Sequence, residues 1–379
     1  MKKRFLGVLL SVAMVAAVLA GCGSSGAKET AAPAGSETEA ASEAASGETE
    51  AASKAASGET EAAGNTGDVI TVGFSQVGAE SDWRTANSES MKSTFSTENG
   101  YNLIFDDAQQ KQENQIAAIR NFIQQEVDYI VLAPVTESGW DTVLQEAKDA
   151  EIPVIIVDRM VNVSDDSLYT AWVGSNFKLE GQKACEWLKQ YAAAKNMSEV
   201  NIVDIQGTIG ASAQIGRTEA LNEAVKANGW NLLAQQTGEF TQAKGQEVME
   251  SMLKQYDNIN VVYCENDNEA FGAIEAIKAA GKTVGPDGDI LVMSFDTTKQ
   301  GITDTLSGDI IVNTECNPLH GPRVEQIIKQ LQAGETPEKQ AYVEEGIYAH
   351  GSDVASVSID GIDYEVTEVT QDVVDARAY

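Results

Sequence analysis

The chain has 379 residues, 42% of them hydrophobic, with 26 basic against 58 acidic residues and a formal net charge of −32. That length supports two cored domains of ordinary size rather than one, and so acidic a chain excludes nucleic acid as a partner, because phosphate binding needs clustered lysine and arginine. Two histidines far apart, His320 and His350, and four cysteines without CxxC or ligand spacing give no support to a metal site or cofactor.

The N-terminus is set apart from the body. Met1-Lys2-Lys3-Arg4 is basic and Phe5 to Ala20 is an apolar run of small residues, short for a bilayer span of roughly 20 residues, so residues 1–21 are predicted to be an export signal. It ends in Leu19-Ala20-Gly21-Cys22, which resembles the lipobox of bacterial lipoproteins and implies lipidation of Cys22. From Gly23 to Gly67 there is no aromatic or large aliphatic residue, so no core can form. "ETEAA" recurs at Glu37, Glu48 and Glu59, but alanine alone makes no supercoil stripe, and residues 22–67 read as a self-repelling tether. A body so tethered is expected outside the cytoplasm, on the outer face of the cell membrane or the periplasmic side where an outer membrane exists.

The body alternates apolar runs with helical periodicity. Strands are predicted at 69–74, 103–105, 129–132, 154–157, 170–173, 200–205, 231–236, 261–264, 290–295 and 310–313. Between them lie amphipathic stretches such as Gln115 to Phe122, with Ile116, Ile119 and Phe122 on one face, and Phe271 to Ala280, with Ile274 and Ile277. This alternation predicts an α/β protein with two doubly wound parallel sheets covered by helices. Cys185 and Cys264 fall in a helix and an apolar strand and, with Cys316, read as buried free thiols, one disulfide among them remaining open.

Ligands of open parallel sheets bind at the carboxyl ends of the strands. There the chain places Ser75-Gln76, Asp106-Asp107, Asp158-Arg159, Gln206, Glu239-Phe240, Asn266-Asp267, Asp296 and Glu315. Asp106, Ser138, Asn176 and Asp267 suit helix caps and turns. Asp158-Arg159, Arg217 and Glu315 suit them less, since a cap needs no guanidinium. Carboxylates that accept from hydroxyls, guanidinia that donate to them, and aromatic rings that cover C–H faces fit a neutral sugar. Trp83 and Phe240 are the candidate rings, with core packing the other reading for Phe240.

The segments "ITVGFSQVGAESDWR" (70–84), "DAQQKQENQIAAIRNFI" (107–123), "LAPV" (132–135), "GW" (139–140), "EAKDAEIPVIIVDR" (146–159), "QGTIGAS" (206–212), "KGQEVMES" (244–251) and "NDNEAFGAIEAIKAAG" (266–281) resemble, in order, the type I periplasmic sugar-binding proteins of ABC transporters. Within that ribose- and galactose-binding group, "SQVGAESDWR" and "QQKQENQI" are similar to the galactofuranose-binding branch. The resemblance covers roughly residues 69–348. It implies two doubly wound lobes joined by three crossing strands, with 68–172 plus 316–345 in the N-terminal lobe and 173–315 plus 346–379 in the C-terminal lobe. It implies no enzyme but a monomeric receptor that closes on a monosaccharide and delivers it to a membrane permease.

Carried over residue by residue, it implies that Trp83 and Arg84 reach the cleft from the loop after the first strand and that Asp158 and Arg159 bind ring hydroxyls. It implies that Arg217 donates from the helix opened by "GTIGAS", and that Asn266, Asp296 and Glu315 complete the hydrogen bonds beside Phe240. Ribose-binding relatives pair two aromatics where this chain has Trp83-Arg84, which speaks against ribose. The tail 349–379 has little counterpart among relatives. A sugar-sensing component for chemotaxis or a two-component system is the alternative. A glycosidase using Asp158, Asp296 or Glu315 is weaker, because Arg159 should keep Asp158 ionised.

Overall fold

A computed structural model describes residues 69–379; the predicted signal, Cys22 and the tether lie outside the described residues. Among the described residues no helix is long and apolar enough to cross a membrane. The described chain forms two parallel-dominated sheets with helices on both faces, the α/β class expected from its alternating pattern.

The first sheet contains β1 (Ile70–Gln76), β2 (Tyr101–Asp107), β3 (Tyr129–Leu132), β4 (Val154–Val157), β5 (Ala171–Gly174) and β11 (Gln340–Tyr342), in the order β11-β5-β4-β3-β1-β2 and parallel throughout. The second contains β6 (Asn201–Gln206), β7 (Asn231–Thr237), β8 (Val261–Cys264), β9 (Leu291–Asp296), β10 (Val312–Glu315), β12 (Ile347–Ala349), β13 (Ser356–Ile359) and β14 (Ile362–Glu368), in the order β13-β14-β12-β10-β9-β8-β6-β7. Its first five strands repeat the winding of the first sheet, whereas β12 joins β10 antiparallel. In each sheet the strand order reverses beside the first strand, between β1 and β3 and between β6 and β8, and a crevice opens outside the strand ends there.

Alternation of side chains builds a core on each face. In the first sheet Ile130, Leu132, Val154 and Ile156 pack against α2 (Gln112–Gln124) and α3 (Asp141–Asp149) through Ile119, Phe122, Trp140 and Leu144. The intervening Val131, Ile155 and Val157 pack against α1 (Asp82–Thr94) and α9 (Gly321–Gln332) through Met91, Phe95, Val324 and Ile328. In the second sheet Ile202, Tyr263 and Met293 meet α4 (Phe177–Ala194) and α5 (Ser212–Asn228). Val203, Val262 and Val292 meet α6 (Gln242–Gln255) and α7 (Asp267–Ala279). Trp187, Tyr191, Ile274 and Ile277 therefore fall at helical spacing because each helix offers one stripe to the sheet.

The chain crosses between the sheets three times, after β5, after β10 and between β11 and β12. The tail adds β13 and β14 to the second sheet, and α10 (Gln371–Ala376) packs through Val374 against Ile302 of α8 (Lys299–Ser307). Cys185, Cys264 and Cys316 are buried free thiols.

Candidate functional site

The carboxyl ends of both sheets face one another across a narrow cavity lined by Glu80, Trp83, Arg84, Asp158, Arg159, Phe177, Ala213, Arg217, Phe240, Asn266, Asp296 and Cys316 among others.

From the first lobe, Ser81 caps α1 by accepting from the Arg84 amide at 3.1 Å, which places Trp83 and Arg84 on the first helical turn rather than in the preceding loop. Arg84 donates from Nη2 to Asp158 Oδ2 at 2.8 Å, from Nε to Glu80 Oε1 at 3.0 Å and from Nη1 to Gln76 Oε1 at 3.3 Å. Arg159 donates from Nη1 to the Val135 carbonyl at 3.1 Å, while its buried Nε has no hydrogen-bond partner and stands 3.9 Å from Asp158 Oδ2. Asp158 has φ of +62°, a left-handed conformation held because its carbonyl accepts from Trp172 Nε1 and packs where a side chain at Gly174 would stand. That turn ends the buried strand β4 in two charged side chains: both enter the cavity and neither joins the core.

From the second lobe, α5 carries Arg217, whose Nε donates to Glu180 Oε2 at 2.8 Å and whose guanidinium lies over the Phe295 ring at 4.7 Å. Phe240, also at positive φ, is held by its amide donating to Glu269 Oε1 at 2.8 Å. A Cβ on Gly207 would lie 1.9 Å from the Phe240 ring, so the glycine of "QGT" is what lets the ring lie there. Asn266 caps α7 by accepting from the Glu269 amide and donates to the Phe240 carbonyl while lining the cavity. Asp267, grouped with caps by sequence, instead accepts from Ser294, Thr298 and Asn313 inside the lobe.

Burial raises the Asp158 carboxyl, but Arg84 and then Arg159 more than offset this and hold it below its ordinary value. Burial and the neighbouring Arg84 bring Arg159 down to about 10. Asp296 is pushed well above its ordinary value by burial, against the pull of Arg217, 3.7 Å away. Three acids, Glu80, Asp158 and Asp296, thus face three arginines, Arg84, Arg159 and Arg217, across the site.

The lobes touch around this cavity. The Glu137 amide donates to the Gly210 carbonyl at 2.9 Å, the Met160 amide to Ser212 Oγ at 2.9 Å and the Asp82 amide to Asn268 Oδ1 at 3.0 Å. Arg159 lies over the Phe240 ring at 5.0 Å, and Trp83 Nε1 donates to the Cys316 carbonyl at 2.6 Å. This is a closed cleft.

Eight of the nine sequence-expected site residues line the cavity; Glu315 does not. Its Oε1 accepts from Arg377 Nη1 at 2.8 Å and Tyr379 OH at 2.9 Å, and its Oε2 from the Gly346 amide at 2.9 Å. Successive side chains on an extended segment alternate, so Cys316 takes the cavity side and Glu315 the tail side. Glu80, Phe177, Ala213 and Cys316 were not among the expected residues. Glu80 stands four residues before Arg84, an ion-pair spacing that could have marked it.

A profile of the periplasmic binding protein domain matches residues 72–314. The chain belongs to the periplasmic binding protein family. It is 42% identical over 284 residues to the galactofuranose-binding protein YtfQ of Escherichia coli, covering 74% of this chain and 87% of that one. A crystal structure from Mycobacterium smegmatis in complex with β-D-fucofuranose is similar at 43% identity and a TM-score of 0.71, over 74% of this chain and 91% of that one. The binding protein of the arabinose ABC transporter of Shewanella sp. ANA-3, bound to α- and β-L-arabinofuranose, is similar at 42% identity and a TM-score of 0.69, over 74% and 92%. This periplasmic binding protein therefore has the fold its sequence motifs resembled, with two lobes and three crossings.

Proposed function

We propose that this periplasmic binding protein captures a monosaccharide in its furanose form, closes on it, and delivers it to an ABC permease. The observation that carries the reading is the lining of the cavity between the lobes: three carboxyl groups and three guanidinia converge there, edged by Trp83, Phe177 and Phe240. Sugar hydroxyls can accept from the arginines and donate to the carboxylates together, so donors and acceptors of both kinds in the cavity find partners. Support for the furanose form comes from three relatives at 42–43% identity whose sugars are galactofuranose, fucofuranose and arabinofuranose. Trp83, Arg84, Asp158, Arg159, Arg217, Phe240, Asn266 and Asp296 are the proposed contacts, with Glu80 added. Lipid on Cys22 and the tether of residues 22–67 keep the receptor beside its permease. Closure serves as the delivery signal because the sugar binds the closed form more tightly.

Tryptophan fluorescence tests the site. Addition of L-arabinose or D-galactose is expected to change the emission of the wild type and leave a Trp83→Phe variant silent while binding persists. An unchanged wild-type spectrum with both sugars would contradict the reading.

A further inference from the structure

The three crossings carry a second cluster that the cavity touches only at its edge. Glu180, in the first turn of α4, accepts from Arg217 at Oε2, yet its Oε1 is buried with no hydrogen-bond partner. A carboxylate oxygen of Glu180, one of Glu345 and Cys316 Sγ all lie within 4.8 Å of one another. Glu345 belongs to the third crossing, and its Oε1 accepts from Ser175 Oγ of the first crossing at 2.7 Å and from the Asn317 amide of the second at 2.6 Å. One carboxyl group thus joins all three crossings and stands against the acid that holds Arg217.

Two carboxylates so close and so poorly hydrated do not both stay ionised. The charged groups around them are Arg217 on α5, Lys183 on α4, Asp296 at the end of β9, and Glu315 on β10 with its partner Arg377. Lys183 Nζ donates to the Glu345 carbonyl at 2.8 Å. Two cations already flank the cluster, so a proton between the acids suits it better than a divalent metal. Burial, and then the opposing acid, pushes Glu345 well above its ordinary value, and burial raises Glu180 as well.

We propose that Glu180 and Glu345 share one proton in the closed form, that this proton latches the three crossings, and that Glu180 is the positioning residue through which the latch reaches Arg217. This rests on the sugar-receptor reading above. When the pair gives up its proton to solvent, the two carboxylates repel, the third crossing moves off α4 and the closed form weakens. Sugar affinity therefore falls as pH rises.

The test is calorimetric titration of the full chain with L-arabinose and D-galactose. Wild-type affinity is expected to fall about tenfold between about pH 6 and about pH 9. Glu345→Gln, whose amide donates to Glu180 permanently, is expected to hold its pH 6 affinity within about twofold over the same range. Glu180→Gln loosens Arg217 and binds weakly without a pH slope. In parallel, the infrared difference between sugar-free wild type and Glu345→Gln is expected to show a protonated-carboxyl band at the lower pH that is gone at the higher. A wild type without slope, a slope retained in Glu345→Gln, an absent band, or Zn²⁺ raising the melting temperature of the wild type but not of Glu345→Gln would each overturn the latch. If neither sugar binds at any pH, the sugar reading fails and the infrared band alone decides the latch.

Discussion

Asp158 sits where two arginines converge, and its removal takes from Arg84 a 2.8 Å charged hydrogen bond inside the closed cleft, leaving it Glu80 and Gln76. Asp158→Ala and Arg159→Ala are each expected to weaken sugar binding roughly 10- to 150-fold, the scale of about 1.5–3 kcal/mol for a hydrogen bond to a charged group. Circular dichroism melting is expected to show the fold intact in both, because an opening cleft rehydrates the remaining charge; loss of folding in both would make the pair structural instead. Gly207→Ala places a methyl group into the Phe240 ring. It is expected to lower affinity by displacing that ring while the second lobe melts as before, and unchanged affinity would show that Phe240 does not cover the sugar. Asp158, Arg159 and Arg217 were legible in the sequence because charges after an apolar strand, or early in the following helix, have no structural errand as caps. Glu315 had the same signature and the opposite fate: its partners Arg377 and Tyr379 come from a tail whose return to the hinge no local pattern announces. Cys316 and Ala213 carry no distinctive chemistry, so only their placement reveals them.

At the scale of elements, the buried parallel strands were readable because both faces are covered and each is a continuous apolar run, as in Val154–Val157. The hairpin Ser356–Ile359 with Ile362–Glu368 was not, since most of its side chains are exposed and only Val357 and Val366 are buried. Helix α10 is short, yet Val374 packs with Ile302 and Val369, and Arg377 and Tyr379 satisfy a buried glutamate. Deleting residues 370–379 is expected to cost roughly 2–4 kcal/mol, combining a lost apolar anchor with an unpaired buried charge. Differential scanning calorimetry checks this; an unchanged melting temperature would mean that the tail is not part of the folded second lobe.

At the scale of the molecule, the second lobe buries several acids whose carboxyls are raised above their ordinary range, first by burial: Asp204 to about 7, Asp267 to about 6, and Glu265 and Glu269 well above. The folded chain then binds more protons than the unfolded chain between the ordinary carboxylate range and these raised values, so stability falls as pH rises through that window. The melting temperature is expected to be higher near pH 5 than near pH 8, and below pH 4 the depressed Asp158 works in the opposite sense. A melting temperature rising steadily from pH 5 to pH 8 would show these acids ionised in the fold. The two-lobed plan was legible because alternating strand and helix patterns recur through a body long enough for two cores. The closed state was not, because it depends on contacts such as Arg159 over Phe240 between residues far apart in the chain.

On the proposed reading, a furanose closes these lobes. Isothermal titration calorimetry of refolded, ligand-stripped protein against galactofuranose, galactopyranose, arabinofuranose, ribose, glucose and autoinducer-2 tests it directly, with small-angle scattering on the same samples. Tight one-to-one binding of a furanose without turnover, accompanied by compaction, is expected. Binding of pyranoses alone, or heat without compaction, would contradict it.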